Sequence, residues 1–161
     1  MMGIELRVSR RHERQLRAAG AREAPGDVYP WMRIVYPACF VAMAIEALVW
    51  PGPAPTRRSV VVAGVAILAA AKLLKTWAIV SLGPAWSFRV LVRPSVPLVA
   101  SGPYRHLRHP NYVAIVGELL GMAAITRAPV AGIASLLVFG VLLWKRVQVE
   151  EQALGLRPAA E

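Results

Sequence analysis

Long stretches of this chain carry almost no charge, and that constrains the fold more than any other feature. From Trp31 to Trp50 only Arg33 and Glu46 interrupt an apolar run of 20 residues. As a helix it would reach about 30 Å, the thickness of a bilayer's hydrocarbon core. Trp31 and Trp50 then stand where interfacial aromatics belong. A second run, Ser59 to Leu82, is apolar apart from Lys72, Lys75 and a few small polar residues. Both lysines fall in its last third, where they either snorkel to the surface or face the protein interior. Two shorter runs, Tyr112 to Ile125 and Pro129 to Trp144, are separated only by Thr126, Arg127 and Ala128. Each is short for an independent span, so the pair reads as a tight hairpin, extended by flanking residues or shielded by other helices. The expectation is an all-α integral-membrane helical bundle of about four transmembrane helices, ending in this C-terminal hairpin. Residues 1–30 form a basic N-terminal segment before a membrane domain over 31–161, and Pro51 to Pro55 is a plain turn between the first two spans.

Composition removes the main rivals. The chain is 57% hydrophobic and 17% charged, whereas soluble domains run at about 45–50% and about 25%. A net charge of +10 would suggest nucleic acid, but a nucleic-acid binder carries its charge on a soluble, polar surface, and here long stretches carry almost no charge at all. No nucleic-acid partner is expected. Disorder is excluded by the Val, Leu, Ile and Ala that dominate the chain. Cys39 has no partner for an internal disulfide, and His12, His106 and His109 are scattered, so no dedicated metal site is expected.

Residues 1–30 have no apolar core and make a poor cleaved signal peptide. Their arginines (7, 10, 11, 14, 17 and 22) interleave with Glu5, Glu13 and Glu23, a pattern that suits a helix on the membrane surface or a solvated tail. Counting Lys and Arg by loop orients the chain. With the N-terminus in the cytoplasm, thirteen fall on the cytoplasmic side and three (Arg57, Arg58, Arg127) on the other. The positive-inside rule then places both termini, and the 83–111 loop, in the cytoplasm.

Most polar residues able to do chemistry lie in that loop and at the exit of the last apolar run. Pro110 suits the first turn of a helix, since its missing N–H would be unpaired there anyway, so His109 and Tyr112 are presented at the mouth of the third helix. The free N–H groups of such a terminus favour an anionic ligand group. Arg146 and Glu150, four apart, share a face of the continuing last helix, as a functional pair or as an ion pair at the membrane surface. Glu118 shares a face with Asn111, Ile115 and Met122 and either looks into the same cavity or pairs with Lys72 or Lys75. Gly64, Gly117 and Gly121 mark close helix packing, the last two at small-xxx-small spacing.

The run Ser101-Gly102-Pro103-Tyr104 to Arg108-His109-Pro110-Asn111-Tyr112, followed by Arg146, Glu150-Glu151 and Leu154, resembles the isoprenylcysteine carboxyl methyltransferase family. That group also includes membrane phospholipid methyltransferases. Leu82-Gly83 and Trp86-Ser87 are similar to the family's pattern as well, and the resemblance covers residues 70–156. It implies an integral-membrane enzyme that transfers a methyl group from S-adenosyl-L-methionine to a lipophilic acceptor: a prenylcysteine-like carboxylate, or a lipid or polyketide oxygen or amine. By position, Leu98, Val99, Tyr104, His109, Asn111, Tyr112 and Glu150 look like cofactor contacts. Arg146 looks like the residue near the acceptor, and with Glu150 it is the candidate catalytic pair. The additional N-terminal helix of many relatives has no counterpart here.

The residue types suit that chemistry. A carboxylate such as Glu150 accepts hydrogen bonds from a ribose or amino group, and His109, Tyr104 and Tyr112 offer flat faces with polar tips. A carboxylate acceptor needs only orientation, for which Arg146 has the fork geometry, with Glu118 as a further acceptor-side group. A phenol or enol acceptor would need a base, for which Glu118, His109 and Glu151 are candidates. Two alternatives stand beside this reading: an NADPH-dependent membrane reductase of the sterol type, and a non-catalytic membrane protein binding anionic lipids through its basic faces.

Overall fold

The computed structural model describes residues 2–50, 58–92 and 99–156, with side chains from Arg7 onward. The expected Pro51–Pro55 turn lies outside them. The first helix, α1 (Met2–Ala18), precedes the apolar helices α2 (Tyr29–Val49), α3 (Arg58–Leu82), α4 (Pro110–Thr126) and α5 (Pro129–Ala153). A two-stranded antiparallel pair, β1 (Arg22–Glu23) and β2 (Leu91–Val92), matches Arg22 with Val92 and Glu23 with Leu91. Single 3-10 turns occupy Gly83–Ala85 and Gly102–Arg105.

The helices α2, α3 and α5 are long and apolar enough to cross a membrane. Large apolar side chains such as Leu48, Leu73, Val80 and Leu137 stay exposed on their outer faces, as lipid-facing surfaces require. Trp31 and Trp50 are exposed at the two ends of α2. The protein is an integral membrane protein built as an all-α bundle. The expected short hairpin resolves in two ways. Helix α5 continues nine residues beyond Trp144, carrying Arg146, Glu150 and Glu151 on one rod. Helix α4 has only 17 residues, about 26 Å, and is shielded instead. It packs against α2, α3 and α5, burying Ala114, Ile115, Glu118, Leu119 and Gly121.

Small residues bring α3 and α4 into near-backbone contact. A Cβ added to Gly121 would lie 2.8 Å from the Leu68 nitrogen and 2.9 Å from the Gly64 oxygen. One added to Gly117 would meet the Ala71 Cβ at 2.9 Å. Lipid tails are as apolar as leucine, so this close packing, not burial from water, holds the pair together. On the other side Met32, Cys39, Met43, Ile115, Leu119, Phe139 and Leu143 form the core between α2, α4 and α5. Glu46, near the end of α2, reaches across to α5. Its carboxylate accepts the Val130 and Ala131 N–H groups, capping the first turn of α5 where the helix dipole favours a negative charge.

The N-terminal segment folds back onto the loop after α3. Ser9, fully buried, accepts the Phe88 N–H at 2.9 Å and donates to Glu13 at 2.7 Å. His12 Nδ1 donates to the Trp86 carbonyl at 2.9 Å. Glu23 pairs with both Arg17 and Arg89. These are tertiary contacts, and they take α1 out of the class of solvated tails.

Candidate active site

A cavity of about 530 Å³ lies between the loop segments and the helices. Helix α2 rests on α5 and α4, whereas α3 rests chiefly on α4. The cavity is therefore flanked by α2 and α3, with α4 and α5 behind. Val99, Tyr104, His109, Asn111, Tyr112 and Glu150 line its loop end, and Met32, Tyr36, Lys75, Ile115 and Phe139 its helix end.

Local geometry explains the loop end. His109 is the N-cap residue of α4 with non-helical backbone (φ −130°, ψ 62°), and Pro110 follows at the first helical position. Its carbonyl starts the helix by accepting the Tyr112 and Val113 N–H groups at 3.0 and 3.2 Å. Its imidazole makes no cap bond and turns to α5 instead. There Nε2 lies 3.3 Å from Glu151 Oε1, and Nδ1 lies 3.9 Å from Glu150 Oε2. The ring stacks on Tyr112 at 5.3 Å between centroids, 16° from parallel.

The Tyr112 hydroxyl donates to Glu150 and accepts the Arg146 Nε–H at 3.1 Å. Arg146 also donates to Asp27 and to the Phe88 carbonyl. The pair is buried, with 7% and 5% of the Arg146 and Asp27 side chains exposed. Asp27 in turn accepts the Tyr29 N–H at 2.9 Å and the Val90 N–H at 3.0 Å. One network thus ties the segment before α2, the loop after α3, and helices α4 and α5.

Tyr104 is delivered by the 3-10 turn that starts at Gly102, whose φ is +59° and where a Cβ would sit 2.2 Å from Ser81 Oγ. Only glycine accepts both that backbone and that proximity. Burial, aided by the Glu150 charge, pushes the Tyr104 phenol above its ordinary 10.0. The phenol, a hydrogen-bond donor at neutral pH in any case, thus stays one into more alkaline conditions. Asn111 Oδ1 is buried and has no hydrogen-bond partner among the described residues, an acceptor whose desolvation is not offset within the protein.

The expected site residues come together, with three qualifications. Leu98 lies outside the described residues. Arg146 lines the cavity, and one N–H from each of its three nitrogens is already engaged, by Tyr112, Asp27 and Phe88, which leaves two of its five. Glu118 is fully buried and does not line the cavity. It pairs with Lys72 at 2.9 Å and Lys75 at 3.6 Å and accepts the Tyr36 hydroxyl. Of the two sequence alternatives for Glu118, pairing is the one realised, and with both lysines. Asp27 escaped the sequence reading altogether. No spacing rule links residues 119 apart, and its only local signal is an acid just before the first apolar run.

A family model, that of the isoprenylcysteine carboxyl methyltransferase (ICMT) family, matches residues 63–155. Among curated proteins, "Uncharacterized protein YpbQ" of Bacillus subtilis (strain 168) is 30% identical over 150 residues, covering 93% of this chain and 88% of its own length. An "Uncharacterized protein" of Haemophilus influenzae is 28% identical over 151 residues, covering 93% and 86%. No solved structure matches. The matched span runs from within α3 past Glu151 and takes in both chain segments that meet at the loop end of the cavity, and this membrane protein belongs to the isoprenylcysteine carboxyl methyltransferase family, a family of methyltransferases.

Proposed function

We propose that the protein transfers a methyl group from S-adenosyl-L-methionine to a lipophilic acceptor, with the donor at the loop end of the cavity and the acceptor at the helix end. The observation that carries this reading is the single cavity joining a polar loop end to an apolar helix end between α2 and α3. The residues fit the donor. Asn111 Oδ1 lacks a partner among the described residues and suits an ammonium or amino group, Glu150 suits hydroxyl or amino donors, and the His109–Tyr112 stack offers a flat face. Tyr104, kept as a phenol, adds a donor. Together with Val99, and with Leu98 by its place in the sequence, they form the proposed cofactor set.

The bound donor would supply an electrophilic methyl group on a sulfonium. What the chain contributes is alignment and exclusion of water, which supply up to about 7–11 kcal/mol of rate enhancement in favourable cases. Tyr29 stacked on Phe88, and Trp86 edge-on to Phe88, also line the cavity. Arg146 acts here as a positioning residue: it holds the Tyr112 hydroxyl, and through it Glu150, in place. A carboxylate acceptor would need no base. For a hydroxyl acceptor, His109, oriented by Glu151, is the imidazole within reach of the cavity. The excess of Lys and Arg on one set of loops supports a cytoplasmic site.

The test is direct. Purified protein in detergent should be protected from thermal unfolding by S-adenosylhomocysteine, and membranes given radiolabelled S-adenosyl-L-methionine with lipid extracts should yield a labelled lipid. Protection by NADP with none by S-adenosylhomocysteine would replace this reading with the reductase alternative. No cofactor response and no labelled lipid would leave a non-catalytic membrane protein.

A further inference from the structure

At the helix end of the cavity a second charged group stands apart from the network around Arg146. Lys75 lies seven residues before the end of α3, about 10 Å inside the helix. Its side chain is only 8% exposed, and it lines the cavity among Tyr36, Ile115 and Phe139. The Lys75 ammonium sits 5.6 Å from the centroid of the Tyr36 ring and 3.6 Å from Glu118 Oε2. Glu118 is also claimed by Lys72 at 2.9 Å, a lysine far more exposed than Lys75. Two ammonium groups thus approach the Glu118 carboxylate, and Lys75 is the one of them that also lines the cavity.

We propose that Lys75 is the anchor for an anionic oxygen on the acceptor, with Glu118 and the Tyr36 ring holding its ammonium at the cavity wall. The proposal rests on the methyltransferase reading for the reaction, but on different side chains. Arg146 already commits three of its five N–H groups, one from each nitrogen, to Tyr112, Asp27 and Phe88. Arg33 and Arg108 also line the cavity but are exposed, so water screens their attraction. The apolar walls beside Lys75 accept a hydrocarbon chain, which defines the ligand class as an amphiphile ending in a carboxylate or an enolate. In the transfer, a lone pair of that oxygen forms the new C–O bond as the methyl–sulfur bond breaks and its electron pair passes to sulfur. An anion and a sulfonium become a neutral ester or enol ether and a neutral thioether, and no proton moves. The product has lost the charge that Lys75 held, which favours its release into the bilayer.

The test uses the purified full-length protein in detergent and measures binding of palmitate, of methyl palmitate, and of a β-diketone of similar chain length ionised as its enolate. Wild type should bind at least one anion about tenfold or more tightly than the ester. K75M should erase that preference, K75R should retain most of it, and R108M should leave it unchanged. S-adenosylhomocysteine affinity should be the same in all four proteins. K75Q, which can still donate to Glu118, serves as a second neutral variant if K75M unfolds. Which anion binds more tightly separates carboxylate from enolate acceptors. A wild type with no preference for either anion, or a K75M or K75Q that keeps it, overturns the proposal. Failure of wild type to bind S-adenosylhomocysteine would sink the methyltransferase reading instead and leave the anchor to be judged on the amphiphiles alone.

Discussion

Replacing Asp27 with Ala should be among the most damaging single changes outside the apolar core. Its carboxylate takes the Arg146 guanidinium and two backbone N–H groups, those of Tyr29 and Val90. Both side chains of the ion pair are buried. Removing one partner of such a pair leaves an uncompensated charge, a loss of about 3–5 kcal/mol. The two orphaned N–H groups add to this, though not additively, because all three bonds belong to one network. We therefore expect D27A to lose about 3–5 kcal/mol in reversible unfolding by SDS from mixed micelles, with D27N losing less because it can still accept hydrogen bonds. A double-mutant cycle isolates the pair. In an R146M background no charge is left to compensate, so D27A should cost at least about 1.5 kcal/mol less than in wild type. Additivity of the two changes to within about 0.5 kcal/mol would refute the claim that the two residues act as one unit. S-adenosylhomocysteine affinity should fall with D27A as well, because Arg146 holds the Tyr112 hydroxyl that binds Glu150.

Other consequences can be measured separately. Gly121→Ala forces a Cβ against backbone atoms of α3 at 2.8 and 2.9 Å and should cost about 1–3 kcal/mol, while Gly140→Ala, with nothing within 4 Å of the added atom, should be neutral or slightly stabilising in the same assay. Asn111→Ala should weaken S-adenosylhomocysteine binding about tenfold without destabilising the protein, since its Oδ1 makes no bond within the described residues; calorimetry and unfolding together check both halves. Stability should fall as pH rises past 10, because Tyr104 keeps its proton in the fold after it has been lost from the unfolded chain. Tyr104→Phe should flatten that part of the profile, and an unchanged slope between pH 9 and 11 would count against the burial of its phenol.

Hydropathy and helix-stop residues were enough to read α2 and α3 to within two residues of their observed limits, because twenty apolar residues in lipid have few alternatives to a helix. The 102–112 run also disclosed where the site would form. Proline at a helix start and glycine at a forced backbone are local requirements, and local requirements are written in consecutive residues. Tertiary structure decided the rest. Whether α1 would stay in solvent depended on Ser9 and His12 meeting the backbone at 86–88. Whether Glu118 served the cavity or the lysines depended on the α3–α4 crossing, set by glycines whose neighbours lie some fifty residues away. Arg146 is the sharpest case. Its place in the family resemblance implied a role near the acceptor, and spacing gave it only a shared face with Glu150, but which acceptors a guanidinium meets is decided by the fold, which brings Asp27, Phe88 and Tyr112. The sequence by itself determined a helical membrane protein with its candidate site residues in two short segments. Only the packing of segments distant along the chain decided which charges pair with which and which of them also line the cavity.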